Sequence, residues 1–319
     1  MKYANAAAFR QALDQRLKNE ADRTGLTLAR LRKRVAFELF LRRLVAVAPD
    51  RWILKGALAL DFRLGVATRA TKDIDLGRSD DEATAIDDIT AAQQLALDDF
   101  FTFAAVRADD LGDRDEFSAI RFHVTAQLAG RTFDKFILDV GFGDQIIGKP
   151  DTIATSDLLS FAGIERVHVP AVPLAQHIAE KVHAYTRTYG GAQQPSTRPK
   201  DLIDILLIAG VGPIAAADLR EALQRTFANR DRHTLPASLQ PPPRTWTAPY
   251  ARLAAQVGLD SDLAAAFAQA AAFLDPVLAG TAVGRWDTRL ACWGRRAKGA
   301  GRCRNKVAIS RDLTEPAGT

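Results

Sequence analysis

The chain has 319 residues, 47% hydrophobic and 25% charged, a composition typical of a globular protein with one large or two ordinary domains. No apolar run reaches the roughly 18 residues that span a bilayer, and the N-terminus turns polar too soon for a signal peptide. We therefore expect a cytoplasmic protein without membrane contact. Residues 295–319 carry the whole net charge of +5 and lack an apolar period, which predicts a disordered basic tail.

The first elements in chain order are two helices separated by a short strand. Residues 28–48 place apolar side chains at helical spacing behind Thr27, which is suited to cap a helix N-terminus. Residues 51–55 predict a strand. Gly56 then opens a helix that ends at Gly65.

The next segments predict strands and one more helix. Residues 68–77 predict a loop that runs into a strand, and residues 80–100 predict a long acidic helix. Residues 120–130 and 131–143 are rich in β-branched and aromatic side chains, and they predict a hairpin that turns at Ala129-Gly130.

Beyond about residue 160 the pattern becomes mainly helical. The predicted helices lie within residues 173–189, 198–210, 214–228 and 250–280. The chain is thus predicted to be an α/β (α+β) protein, with an N-terminal α/β domain at residues 1–155, a helical domain at 156–294 and the tail at 295–319.

The segment from residue 52 to 77 carries the strongest chemical signal. A glycine at a helix start, here Gly56, lets backbone N–H groups approach a phosphate closely, and the helix dipole favours negative charge there. Asp73 and Asp75 are two residues apart on a strand, so both point to one side and can share a divalent cation such as Mg²⁺. D-x-D also occurs at residues 113–115 and 260–262. Those copies lack the strand, glycine turn and helix in front.

Asp139 is the best candidate for a third carboxylate. It lies among the apolar residues 136–140, where a buried acid needs a partner or a metal ion. A salt-bridged strand residue is the equally open alternative.

With these motifs the sequence resembles the AbiEii/AbiGii-type toxin nucleotidyltransferases, which include the mycobacterial MenT toxins and belong to the polymerase-β-like superfamily. The resemblance covers roughly residues 25–280. Its first motif, a glycine pair or Gly-Ser before D-x-D, is matched by Gly56-Ala57, which lacks the hydroxyl. The later motifs, a helix lysine and an arginine shortly before a helix-opening aspartate, are matched by Lys181 and by Arg198, Lys200, Asp201 and Asp204.

The resemblance implies a nucleotidyltransferase core with a mixed sheet, followed by a mainly helical domain, and a Mg²⁺-dependent enzyme with an NTP as co-substrate. It also implies an acceptor, the 3′ end of tRNA, so that the activity blocks translation, and a cognate antitoxin as partner. From the motifs and the resemblance together, the predicted metal ligands are Asp73, Asp75 and Asp139. The predicted nucleotide-binding residues are Lys55, Gly56, Ala57, Thr71, Lys181 and Arg198, and the predicted catalytic residues are Asp73, Asp75, Lys181 and Asp201. Asp201 would help to position metal or to remove the acceptor proton.

Several alternatives stay open. The acceptor could be an aminoglycoside-like small molecule or a protein, or the chain could be a catalytically silent binding module with the same fold. The basic residues at 30–43 favour RNA, because a polycationic acceptor calls for an acidic cleft. Residues Gly143–Pro150 nearly match a P-loop, but Pro150 stands where a P-loop has Ser or Thr and hinders the helix that must follow.

Overall fold

The computed structural model describes residues 2–65, 68–108, 119–143, 145–189, 194–195, 198–230 and 232–294. The predicted basic tail, residues 295–319, lies outside them. Contacts between residues divide the chain into a first unit, Met1–His177 with Ala255–Leu259, and a second unit, Ile178–Ala254 with the residues from Asp260 onward. Across the described ranges, no helix is long and apolar enough to cross a membrane.

The helices alternate with strands in the first unit and predominate in the second. The α-helices are α1 (Ala6–Thr24), α2 (Leu28–Val47), α3 (Gly56–Leu64), α4 (Glu82–Gln94), α5 (Leu174–Thr186), α6 (Pro199–Ala209), α7 (Ala216–Arg230), α8 (Thr247–Val257) and α9 (Leu263–Leu278). The strands are β1 (Ile53–Lys55), β2 (Asp73–Arg78), β3 (Phe101–Arg107), β4 (Ala119–Leu128), β5 (Arg131–Phe142), β6 (Asp151–Ala154), β7 (His168–Ala171), β8 (Thr188–Tyr189), β9 (Gln194–Pro195), β10 (Arg285–Asp287) and β11 (Cys292–Gly294).

The first unit is built on one seven-stranded mixed sheet with the strand order β3-β4-β5-β2-β1-β7-β6. Strand β2 runs parallel to β5 and β1 runs parallel to β7, while the other neighbouring pairs are antiparallel. The predicted α/β fold with a mixed sheet is confirmed. The hairpin at Ala129-Gly130 is confirmed too, and both turn residues have the positive φ angles that such a tight turn requires.

One face of the sheet is covered by helices. Burial alternates residue by residue along β4 and most of β5, as expected when only one face packs on a core. Phe37 and Phe40 of α2 lie with their ring centroids 5.1 and 5.8 Å from that of Phe136 on β5. Asp139 lies three residues further along the strand, so its side chain projects from the opposite face.

The predicted helices at the start of the chain are confirmed. Thr27 caps α2, because its Oγ1 accepts a hydrogen bond from the N–H of Arg30 at 3.2 Å. Helix α3 begins at Gly56 and ends at Leu64, with Gly65 directly after it.

The acidic helix predicted at residues 80–100 is wrong in its length, because α4 ends at Gln94. Asp99 forms an ion pair with Arg43, which is distant in sequence and donates to both of its oxygens, at 2.7 and 2.8 Å. Asp99 also accepts the N–H of Phe101 at 3.0 Å and so fixes the start of β3, a strand that the sequence pattern did not reveal. A tertiary ion pair here overrides local helix propensity.

The P-loop alternative is wrong. A P-loop lysine sits at the start of a helix, whereas the chain continues after Lys149 into strand β6, which begins at Asp151. The segment before Lys149 is tied to α5 instead, since the N–H of Ile147 donates to Gln176 Oε1 at 2.8 Å.

The carboxyl of Glu38 on α2 is buried between Arg34 of the same helix and Ser156, which follows β6. It accepts hydrogen bonds from both the N–H and the hydroxyl of Ser156, and Arg34 Nε lies 3.4 Å from its Oε1. Burial in the helix–sheet core outweighs these favourable contacts and raises the pKa of Glu38 to about 7.

This burial predicts a pH dependence of stability. A carboxyl whose pKa is higher in the folded than in the unfolded chain holds its proton more tightly when folded, so the free energy of unfolding falls as pH rises from about 4.5 to 7. The loss from Glu38 is at most about 3 kcal/mol. Glu38→Gln resembles the protonated form and should remove this loss, so the variant should gain on wild type as pH rises.

Urea unfolding at pH 5, 6.5 and 8 measures the difference. Glu165→Gln, at an exposed carboxylate of the same unit, is the matched control and should follow the wild-type pH profile. An identical profile for Glu38→Gln and wild type would show that Glu38 does not titrate in this range.

Candidate active site

Four charged side chains form a row across the open face of the sheet. Lys55 on β1 pairs in register with Asp75 on β2, Asp75 pairs with Asp139 on β5, and Asp139 pairs with Arg121 on β4. Directly opposed residues on neighbouring strands project to the same side. The row therefore consists of two carboxylates between two cations.

Asp73 joins Asp75 and Asp139 in a carboxylate triad. One oxygen of each residue lies within 4.8 Å of those of the other two, and all three side chains are partly exposed. Mg²⁺ is a hard cation that prefers oxygen ligands, carboxylates among them. The triad thus fits a magnesium ion, and the described residues contain no other group of three His, Cys, Asp or Glu side chains placed to hold one.

Gly56 brings the start of α3 directly against this triad. Its φ is +63°, and a Cβ at this position would lie 1.9 Å from Asp75 Oδ2 and 2.8 Å from Asp75 Cγ. Only glycine fits both the backbone conformation and the space. Lys55 forms the N-cap of α3 without a side-chain cap hydrogen bond. A helix N-terminus of this kind suits a phosphate.

Two neighbours hold the triad's carboxylates in position. Thr71 Oγ1 donates to Asp73 Oδ1 at 2.6 Å. Arg121 donates through Nε and Nη2 to the two oxygens of Asp139, at 2.6 and 2.5 Å. These hydrogen bonds, together with the negative charges of all three aspartates, raise the pKa of Arg121. Asp139 is therefore a salt-bridged strand residue and a member of the triad at once.

The end of α3 is anchored by a second polar cluster. Arg30 donates to Asp61 Oδ1 at 2.9 Å and to Thr68 Oγ1 at 2.8 Å, and Thr68 donates to the same Asp61 oxygen at 2.5 Å. Asp61 and Thr68 are buried. Sequence analysis missed this anchor, which ties α2 to the helix that carries Gly56 and Ala57.

The remaining predicted site residues lie together in the second unit. Lys181 Nζ is 2.8 Å from Asp204 Oδ2 and 3.6 Å from Asp201 Oδ1. Arg198 donates to both oxygens of Asp201, at 2.7 and 3.3 Å. Both carboxylates are completely buried, so each needs the nearby cation. The pairing of Lys181 with Asp204 was not foreseen from the sequence.

The expected basic surface on residues 30–43 is wrong. Five of the six basic side chains of α2 pair with acids of the same unit: Arg30 with Asp61, Arg32 with Asp14, Lys33 with Asp134, Arg34 with Glu38 and Asp61, and Arg43 with Asp99. The sixth, Arg42, donates to the backbone carbonyl of Glu165 at 3.2 Å. Helix α2 also packs on the face of the sheet opposite to the triad. It offers no cationic surface beside the site.

A family model described as the nucleotidyl transferase AbiEii toxin of type IV toxin–antitoxin systems matches residues 39–275. This chain belongs to the AbiEii family. The matched range contains the triad, the start of α3 and the second-unit cluster. The resemblance to toxin nucleotidyltransferases is confirmed, and membership in the AbiEii family makes the chain a nucleotidyltransferase toxin.

This chain is also similar to solved structures, and the alignment with the first of them shows a shared fold. The nucleotidyltransferase toxin MenT4 from Mycobacterium tuberculosis aligns with a TM-score of 0.50 and 19% identity over 85% of this chain and 98% of MenT4. JHP933 from Helicobacter pylori aligns with a TM-score of 0.42 and 13% identity over 78% of this chain and 93% of JHP933. A search of curated proteins finds no match.

The collision at Gly56 predicts a loss of metal binding. Gly56→Ala must displace Asp75, so Mn²⁺ affinity, measured by electron paramagnetic resonance, should fall about tenfold or more. Gly25→Ala is the control, because Gly25 has a φ of +71° and no heavy atom within 4 Å of an added Cβ. Equal Mn²⁺ affinity for Gly56→Ala and Gly25→Ala would contradict the close approach.

The buried pairing of Lys181 predicts a structural cost that is separable from function. Lys181→Met leaves the buried Asp204 carboxylate without this cation and should destabilise the protein by about 3 kcal/mol or more. Adding Asp204→Asn removes the buried charge and should recover much of the lost melting temperature, but no activity.

Thermal unfolding measures the pair, with Arg225→Met as a control that breaks an exposed ion pair to Glu221 and should cost less than about 1 kcal/mol. A double variant that is no more stable than Lys181→Met would argue against an electrostatic cause.

Proposed function

We propose that this AbiEii toxin transfers a nucleotide from an NTP to the 3′ end of tRNA in a Mg²⁺-dependent reaction in the cytoplasm, and thereby inhibits translation. The observation that carries the proposal is the triad of Asp73, Asp75 and Asp139 beside the start of α3. It offers ligands for a divalent cation and donors for a phosphate side by side. The family supplies the reaction class, nucleotidyl transfer.

In this proposal the start of α3 binds the triphosphate. The backbone N–H groups of Gly56 and Ala57 donate to phosphate oxygens, and the helix dipole favours their negative charge. This contact needs no side-chain hydroxyl, so alanine at position 57 is compatible with it. Lys55 adds a positive charge at the same end of the helix.

Asp73, Asp75 and Asp139 would hold the magnesium ion, and Thr71 keeps Asp73 oriented through its 2.6 Å hydrogen bond. Bound magnesium would neutralise the charge that develops on the phosphate oxygens during transfer. The chain's own part is to fix three carboxylates on two adjacent strands, whose backbones set their spacing before any ligand arrives.

Lys181 and Arg198 are assigned to the charge of the departing pyrophosphate. Asp201 is assigned to positioning, because its buried carboxylate accepts both bonds of Arg198 and lies 3.6 Å from Lys181. A base for the acceptor hydroxyl must come within hydrogen-bond distance of it. The complete burial of Asp201 favours the positioning role.

The tRNA acceptor and the block of translation rest on the family resemblance, since α2 no longer supports an RNA surface. An aminoglycoside-like or protein acceptor is the second candidate within the same chemistry. The joint presence of the triad and Gly56 argues against a silent binding module. A cognate antitoxin is the expected partner, because the family belongs to toxin–antitoxin systems.

The test incubates purified protein with total tRNA, magnesium and each labelled NTP in turn. We expect label on tRNA with wild type, at least about a hundredfold less with Asp75→Ala, and undiminished label with Asp157→Ala. Asp157 is the matched control, an exposed acid of the same unit whose ion-pair distance to Arg166 is 3.5 Å.

Each other outcome is informative. Full labelling by a folded Asp75→Ala variant would refute the metal assignment. Label that appears only on an aminoglycoside or a protein would replace tRNA as the acceptor and leave the nucleotidyl transfer in place. No transfer to any acceptor would favour the binding module.

A further inference from the structure

Within the triad, both oxygens of Asp139 accept hydrogen bonds from a single arginine. Arg121 donates two charge-assisted hydrogen bonds to these oxygens, at 2.6 and 2.5 Å. Arg121 and Asp139 are direct cross-strand partners, so the backbone places the guanidinium beside the carboxylate. A metal ion that uses Asp139 must therefore compete with Arg121 or share an oxygen with it.

The Arg121–Asp139 pair differs from a buried ion pair of the same unit, which Arg43 on α2 forms with Asp99 before β3. Arg43 and Asp99 are also bidentate, but their side chains are 0% and 3% exposed, which locks them in place. The Arg121 and Asp139 side chains are 21% and 25% exposed. Water reaches the Arg121–Asp139 pair but not the Arg43–Asp99 pair, so the Arg121–Asp139 pair can open at the lower cost.

We propose that Arg121 is a positioning residue that keeps Asp139 away from the metal ion by pairing with it. A first ion would bind to Asp73 and Asp75, and Asp139 would become a metal ligand only after its hydrogen bonds to Arg121 break. This inference rests on the proposed metal site. The proposed role of Arg121 is to control when Asp139 becomes available to the metal ion. This role differs from structural packing and from direct contact with the substrate.

Charge gives the physical reason for such an arrangement. Three carboxylates within 4.8 Å repel one another, and Arg121 reduces that repulsion while the metal is absent. The same guanidinium repels an incoming cation and occupies one of its ligands. Arg121 thus stabilises the empty site and weakens metal binding to it. An NTP, which brings its own phosphate ligands and negative charge, can then favour full coordination.

The experiment measures Mn²⁺ affinity without nucleotide by electron paramagnetic resonance. Arg121→Gln, which removes the charge and frees Asp139, should bind Mn²⁺ about tenfold more tightly than wild type. Arg107→Gln is the matched control: it removes an arginine from neighbouring strand β3 whose partner is Glu82 at 2.5 Å, and it should leave the affinity within about twofold. Melting temperatures verify that each variant is folded.

A double variant separates release of Asp139 from a general charge effect. In the Asp139→Asn background, Arg121→Gln should tighten Mn²⁺ binding much less than in wild type, because only the repulsion by the guanidinium is removed and no carboxylate is released. Arg121→Lys keeps the positive charge but cannot donate two parallel hydrogen bonds to the carboxylate. The Mn²⁺ affinity of this variant should therefore lie between those of wild type and Arg121→Gln. This second variant also serves if Arg121→Gln fails to fold.

Weaker or unchanged Mn²⁺ binding in folded Arg121→Gln, or in Arg121→Lys where only that variant folds, would overturn the inference and leave the proposed nucleotidyl transfer standing. Tightening of the same size in the Asp139→Asn background would overturn it as well. Absence of Mn²⁺ binding to wild type would overturn both the inference and the metal assignment. Failure to label RNA would leave the metal affinities unaffected, so the two failures are distinguishable.

Discussion

The register between the parallel strands β2 and β5 is the constraint on which the site depends. It sets Asp75 opposite Asp139, and a shift by one residue would send one of the two carboxylates to the helix-covered face. The register is fixed by apolar residues on that face: Ile74 and Leu76 on β2 alternate with the aspartates and are almost completely buried. The hydrophobic core behind the sheet therefore sets the geometry of the polar site in front of it.

In both units, the charged side chains assigned to function are paired with side chains of opposite charge, but the sign of the functional group differs between the units. In the first unit the carboxylates are the assigned functional groups, and Arg121 holds Asp139 in position. In the second unit the cations Lys181 and Arg198 are the assigned functional groups, and two completely buried aspartates hold them. Asp139, Lys181 and Arg198 thus each have an oppositely charged partner that restrains the side chain and lowers the cost of its burial.

Local signals predicted the local parts of this structure well. Thr27, Gly56 and the hairpin turn act on their immediate neighbours, so their patterns could be interpreted along the chain. The failures involve partners distant in sequence. Lys33 is compensated by Asp134, 101 residues away, which turned an expected RNA surface into internal ion pairs. Arg121 was missed because its partner lies across a strand pair, and only the alternation along β4 hinted at a polar face.

Because most basic side chains of α2 are paired with acids, attraction of an anionic substrate must come from the charges of the site itself. In the row and triad, Asp73, Asp75 and Asp139 outweigh Lys55 and Arg121 by one negative charge. An empty site of this sign repels a triphosphate. One bound Mg²⁺ would change the balance to one positive charge, and the site would then attract anions through the same residues. These charges favour an order in which a metal ion would precede or accompany the nucleotide.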